Sequence, residues 1–81
     1  MKSVYEFKEG EVYYNGNGDK SIKVLSRYIK RGDYGEYPCV KILMDTGEEK
    51  ECNIYSIDYG FMCESIKVNV GGSKVIYFYA I

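Results

Sequence analysis

The chain has 81 residues, including ten Tyr, nine Gly, three Cys and one Pro, with neither Trp nor His. That length fits a single domain over residues 1–81, and the missing His removes the commonest general base, metal ligand and triad partner. A net charge of −1 argues against a dedicated nonspecific DNA binder, and 46% hydrophobic against 28% charged residues argues against disorder.

In chain order, Glu11–Asn15 reads as a short strand ending in the turn signal Asn15-Gly16-Asn17-Gly18-Asp19. Ser21–Lys30 is the next strand. Its apolar residues change face between Val24 and Leu25, which implies a bulge or a strand buried on both sides. Arg31-Gly32-Asp33-Tyr34-Gly35-Glu36 reads as a loop, and Tyr37–Met44 as a strand that tolerates Pro38 near its start. Asp45-Thr46-Gly47 suits a three-residue hairpin loop with positive φ at Gly47. The implied register pairs Met44 with Glu48, Ile42 with Lys50 and Val40 with Cys52. Val40, Ile42, Met44, Cys52 and Ile54 then share one core face, and Cys39 lies opposite Cys52, which disfavours a disulfide between them.

The run Asn53–Gly60 breaks the alternation and predicts a short helical turn near 54–59. Ser65–Val70, Gly71-Gly72 and Lys74–Ile81 form a closing hairpin with two open registers. A two- or four-residue loop sets Val75, Tyr77 and Tyr79 beside Ile66, Val68 and Val70; a three-residue loop sets Ile76 and Phe78 there. The last strand is apolar on both faces, so it is either central or presents one face to a partner. Ile76, Tyr77, Phe78 and Tyr79 are the candidate interface, including that of a homodimer. The expected fold is all-β: an SH3-like or Tudor-like small barrel, or a curled antiparallel sheet of five to six strands.

Three cysteines at 39, 52 and 63, with no C-x-x-C pair, fit a reducing cytosol. No signal peptide is expected in MKSVYEFKEGEVYY, and no run approaches the roughly 18–20 apolar residues of a bilayer span. The expected location is cytoplasmic, with no membrane partner. Gly16-x-Gly18 lacks the rest of a phosphate loop. Glu48, Glu49 and Glu51 alternate faces and do not form a metal cluster. Cys63 has no His to make it a thiolate. No enzyme activity, metal or cofactor is expected.

Charge is segregated along the chain. Lys20, Lys23, Arg27, Lys30 and Arg31 fall in a stretch without acid, whereas Asp45, Glu48, Glu49, Glu51, Asp58 and Glu64 face a single Lys50. Such segments attract each other within the fold, or the basic one meets phosphate or an acidic partner. A core this small cannot enclose ten tyrosines, and an exposed Tyr beside a cation stacks bases or anchors a protein contact. The candidate binding groups are Tyr28, Lys30, Arg31, Tyr34 and Tyr37 on one strand end and loop, and Tyr55 with Tyr59 on the helical turn.

Several of these positions resemble a known family. Phe7-x-x-Gly10-Glu11-x-Tyr13, Lys23-Val24-Leu25 with Tyr28-Ile29, Val40-Lys41-Ile42-x-Met44-Asp45-Thr46-Gly47 and Ile57-x-x-Gly60 resemble the small bacteriophage domain often found upstream of HNH homing endonucleases. The similarity covers about residues 7–62. It implies a Tudor-like or KOW-like barrel of phage or mobile-element origin, and location in the host cytoplasm. The expected function is that of a non-catalytic accessory protein that binds a macromolecule, such as an inhibitor of a host nuclease or defence system. The alternatives are a nucleic-acid-binding module that uses the basic strand and stacking tyrosines, and a nucleotide-type ligand trap in a homodimer.

Overall fold

A computed structural model describes residues 4–58 and 60–81. Its strands are β1 (Val4–Tyr5), β2 (Val12–Tyr14), β3 (Ser21–Gly32), β4 (Gly35–Met44), β5 (Glu49–Asp58), β6 (Met62–Gly71) and β7 (Lys74–Tyr79). Hydrogen bonding follows the order β1-β6-β5-β4-β3-β2, with β7 also on β6. The sheet curls strongly into a half-barrel that a bridge between Asn15 and Phe78 draws together. No helix among the described residues is long and apolar enough to cross a membrane.

The curl comes from β5, which changes partners midway. Its residues 49–53 pair with β4 and its residues 54–58 pair with β6. The β4 ladder stops at Cys39↔Asn53, beside Pro38, which lacks the amide hydrogen that the next rung would use. One face of the curled sheet therefore closes on a core of Phe7, Tyr13, Ile22, Val24, Val40, Ile42, Met44, Cys52, Ile54, Ile66, Val68, Phe78 and Ala80. The expected stripe from Val40 to Ile54 belongs to it.

The Asp45-Thr46-Gly47 hairpin has the expected register: Ile42 pairs with Lys50 and Val40 with Cys52. Gly47 N–H donates to the Met44 carbonyl at 2.9 Å, with Gly47 at φ 93°. The expected face change in β3 is a bulge between Val24 and Ser26, which turns Leu25 partly outward. Cys39 and Cys52 lie on opposite faces, and all three cysteines are free and buried.

Three expectations change. The helical turn near 54–59 is strand through Asp58, because Ile54 and Ser56 pair with Ile66 and Glu64 of β6. The signal that looked helical is instead the end of a strand, where Gly60 N–H donates to Asp58 Oδ1 at 2.9 Å. Tyr59 lies outside the described residues. The 31–36 loop shrinks to a two-residue turn at Asp33-Tyr34, since β3 and β4 pair as far as Gly32↔Gly35. Among the described residues no non-Gly residue has positive φ, so the turn takes its left-handed residue from Gly35 at φ 115°. Finally, the closing hairpin selects Ile66↔Phe78 and Val68↔Ile76. Its loop is the two residues Gly72-Ser73, and an irregularity between Asn69 and Gly71 inverts the parity such a loop would give. Phe78 is thus fully buried and Ile76 packs against the core, so neither forms an exposed interface.

Candidate functional site

Arg27 and Lys30 of the basic segment meet Glu64 and Glu51 of the acidic one within the fold. Arg27 enters one end of the barrel because the β3 bulge places it on the inner face, paired with Val40. Its Nη1 and Nη2 donate to Glu64 Oε1 and Oε2 at 2.5 and 2.7 Å, and Nη1 also donates to the Phe7 carbonyl at 3.1 Å. Phe7 N–H donates back to Glu64 Oε1 at 2.9 Å. Hydrogen bonding to Glu64 pushes the Arg27 pKa further up, so the guanidinium stays charged. The network clamps the segment before β2 onto β3 and β6 and is structural. Charge complementarity between the two segments was its signal in the sequence, but the partners, 37 residues apart, were not readable.

Beyond Cys39, β3 and β4 continue as a two-stranded arm with no β5 partner beside it. On its outer face, the Tyr28 hydroxyl and Lys30 Nζ donate to the two carboxylate oxygens of Glu51, in very short contacts. The hydrogen bond to Glu51 pushes the Tyr28 phenol up to about 12, while Lys30 and then Tyr28 hold the Glu51 carboxyl below its ordinary value. Beneath them Cys39 Sγ reaches Asn53 Oδ1 at 3.4 Å, and burial raises this thiol's pKa, as it does that of Cys52. Neither thiol is an activated nucleophile.

Nearer the tip, Arg31 pairs across the arm with Glu36 at 2.8 Å. Tyr37 is half-buried, its ring edge so close over Gly32 that a Cβ there would sit 3.0 Å away. Tyr34 at the turn is fully exposed, and Ile29 is 60% exposed. Lys30, Arg31, Asp33 and Glu36 sum to zero charge. The structure therefore gathers Tyr28, Lys30, Arg31, Tyr34 and Tyr37 on one arm, as the sequence order implied. It also pairs three of the five cations of the basic segment, Arg27, Lys30 and Arg31, with carboxylates.

The remaining tyrosines regroup. Tyr55 of β5 pairs with Ser65 of β6, which pairs with Tyr79 of β7, while Lys67 pairs with Tyr77. These side chains share the outer face of β5, β6 and β7. Tyr14 joins them, because the Asn15↔Phe78 bridge brings Tyr14 level with Tyr79. Sequence reasoning left Tyr14 and Lys67 out, since nothing local ties them to the C-terminal strand. The carboxylates of Glu48, Glu49 and Glu51 each meet a lysine, respectively Lys50, Lys41 and Lys30. No group of three or more acidic or cysteine side chains among the described residues is placed to hold a metal.

By its fold the protein is a small, strongly curled all-β domain with a projecting hairpin arm and an outer tyrosine face. Compared with protein-family models, curated proteins and solved structures, the chain matches none.

Proposed function

We propose that the protein is a non-catalytic binding protein that inserts its β3–β4 arm into a concave surface of a protein partner. The observation that carries this reading is the arm, which is paired as far as Gly32↔Gly35 and carries an exposed aromatic tip. Its strands are fixed to the body by Glu51 and to each other by Arg31–Glu36, and the tip presents Tyr34 fully exposed with Ile29 behind it. A tip held in a paired hairpin has less conformational entropy to lose on docking than an unpaired loop, and it fits a cleft better than a flat surface. The arm's charges sum to zero and its cations are engaged by carboxylates, which favours an apolar protein pocket over a phosphate backbone. The resemblance to a bacteriophage domain directs attention to a host enzyme with an open cleft, such as a nuclease or another defence component, which the arm would block.

The test is affinity capture from bacterial lysate with the wild type and with Tyr34→Ala. The wild type should retain one stoichiometric protein, and Tyr34→Ala should weaken its binding by about 2 kcal/mol, roughly thirtyfold, as for a central aromatic anchor. Equal retention by the variant, or no specific protein with the wild type, would refute the arm as the contact.

A further inference from the structure

We infer that the outer face of β5, β6 and β7 binds short single-stranded nucleic acid, stacking bases on Tyr55, Tyr77 and Tyr79 with Lys67 facing the backbone. The face is open: Tyr55 is 52% and Tyr77 48% exposed, and a depression of about 310 Å³ runs between Tyr55, Ile57, Ser65, Lys67 and Tyr77. Ser65 forms its floor, since Tyr55 and Tyr79 flank it on the two neighbouring strands. Tyr14, 55% exposed and level with Tyr79, extends the aromatic row onto β2.

Spacing and charge together indicate the ligand. Tyr77 and Tyr79 are two residues apart on one strand face, about 7 Å from the rise of a strand. That is twice the 3.4 Å spacing of bases stacked in a duplex strand. Each ring therefore takes its own base, and the strand is drawn out rather than self-stacked. From Ser65 to Ile81 the chain carries Lys67 and Lys74 and no acid, although the whole protein is net negative. Neither lysine makes an ion pair with a described residue, in contrast to Lys30 and Arg31 of the arm. An anionic, ring-bearing ligand complements that combination, and a duplex, whose bases are already stacked, does not.

The experiment is fluorescence anisotropy of labelled twelve-nucleotide oligo(dT) and oligo(U) titrated with the full chain. Binding of either should fall in Tyr77→Ala and in Tyr55→Ala by roughly five- to 150-fold, the range that stacking one base is worth. Lys67→Glu should also weaken it, whereas Arg31→Glu on the arm should leave it unchanged. Because only one or two phosphates are engaged, raising salt from about 50 to about 200 mM should weaken binding only about three- to sevenfold. All of these side chains are at the surface, so thermal melts close to the wild type would confirm that each variant is folded. The inference is overturned if neither oligonucleotide binds at protein concentrations up to about 1 mM. It is also overturned if binding survives Tyr77→Ala but is lost in Arg31→Glu. Loss of a captured protein partner in Tyr77→Ala, with no oligonucleotide binding, would make this face a protein contact instead. Tyr34→Ala touches only the arm, so the two proposals fail separately.

Discussion

Replacing Glu64 by Gln keeps its shape but removes the charge that Arg27 is folded around. The glutamine oxygen can still accept from Phe7 N–H, but its NH₂ must then face Arg27 Nη2, setting donor against donor where a 2.7 Å bond stood. Breaking a buried ion pair typically costs 3–5 kcal/mol. The Glu64 side chain is 9% exposed but that of Arg27 is 29% exposed, so water can reach the guanidinium and the lower end applies, about 3 kcal/mol. A domain of this length is stable by roughly 4–12 kcal/mol, so the loss is a large part of the total. Urea unfolding followed by circular dichroism should show the midpoint fall by roughly 1.5–3 M with an unchanged slope. The double variant Arg27→Met with Glu64→Leu should recover about 1–2 kcal/mol of the loss. It should retain a deficit of about 1–2 kcal/mol, because Phe7 N–H keeps no partner. A cost under about 1 kcal/mol for Glu64→Gln would refute the reasoning, since the pair would then behave like one at the surface.

Tyrosinate absorbance during alkaline titration should show one phenol, that of Tyr28, ionising near 12, and Glu51→Gln should return it towards 10. Since the folded-state value lies above the unfolded one, this contact stabilises the fold below about pH 10, and the contribution disappears as pH rises through about 12. Phe78→Asp should unfold the protein rather than shift an oligomeric equilibrium, because Phe78 is fully buried; an intact, folded variant by circular dichroism would contradict its place in the core. Gly35→Ala should lower stability by about 1–2 kcal/mol in the same urea assay, because its φ of 115° strains any side chain; no change would mean that the arm's turn relaxes freely.

The alternation of apolar residues and the turn chemistry of Asp45-Thr46-Gly47 were sufficient to determine the all-β class, the central register and the separation of Cys39 from Cys52. Both signals are local: a period of two sets the faces, and a glycine at positive φ sets the loop. The mutual attraction of the basic and acidic segments was also legible as charge along the chain. Which carboxylate meets which cation was not. Arg27 reaches Glu64 only because a bulge turns it inward and β5 hands the sheet from β4 to β6. The same change of partner made Asn53–Gly60 look helical, since a strand that pairs first on one edge and then on the other buries no single continuous face. The ambiguous C-terminal hairpin was resolved by an irregularity of its ladder that no local residue announced, and this sent Phe78 to the core and Tyr77 and Tyr79 outward. The sequence by itself determined that there is a β domain with more tyrosines than its core can hold. Only tertiary pairing decided that most of the described ones gather on a charge-neutral arm and on an outer face built around the acid-free stretch from Ser65 to Ile81, because side chains far apart in the chain become neighbours only when the strands bearing them are paired.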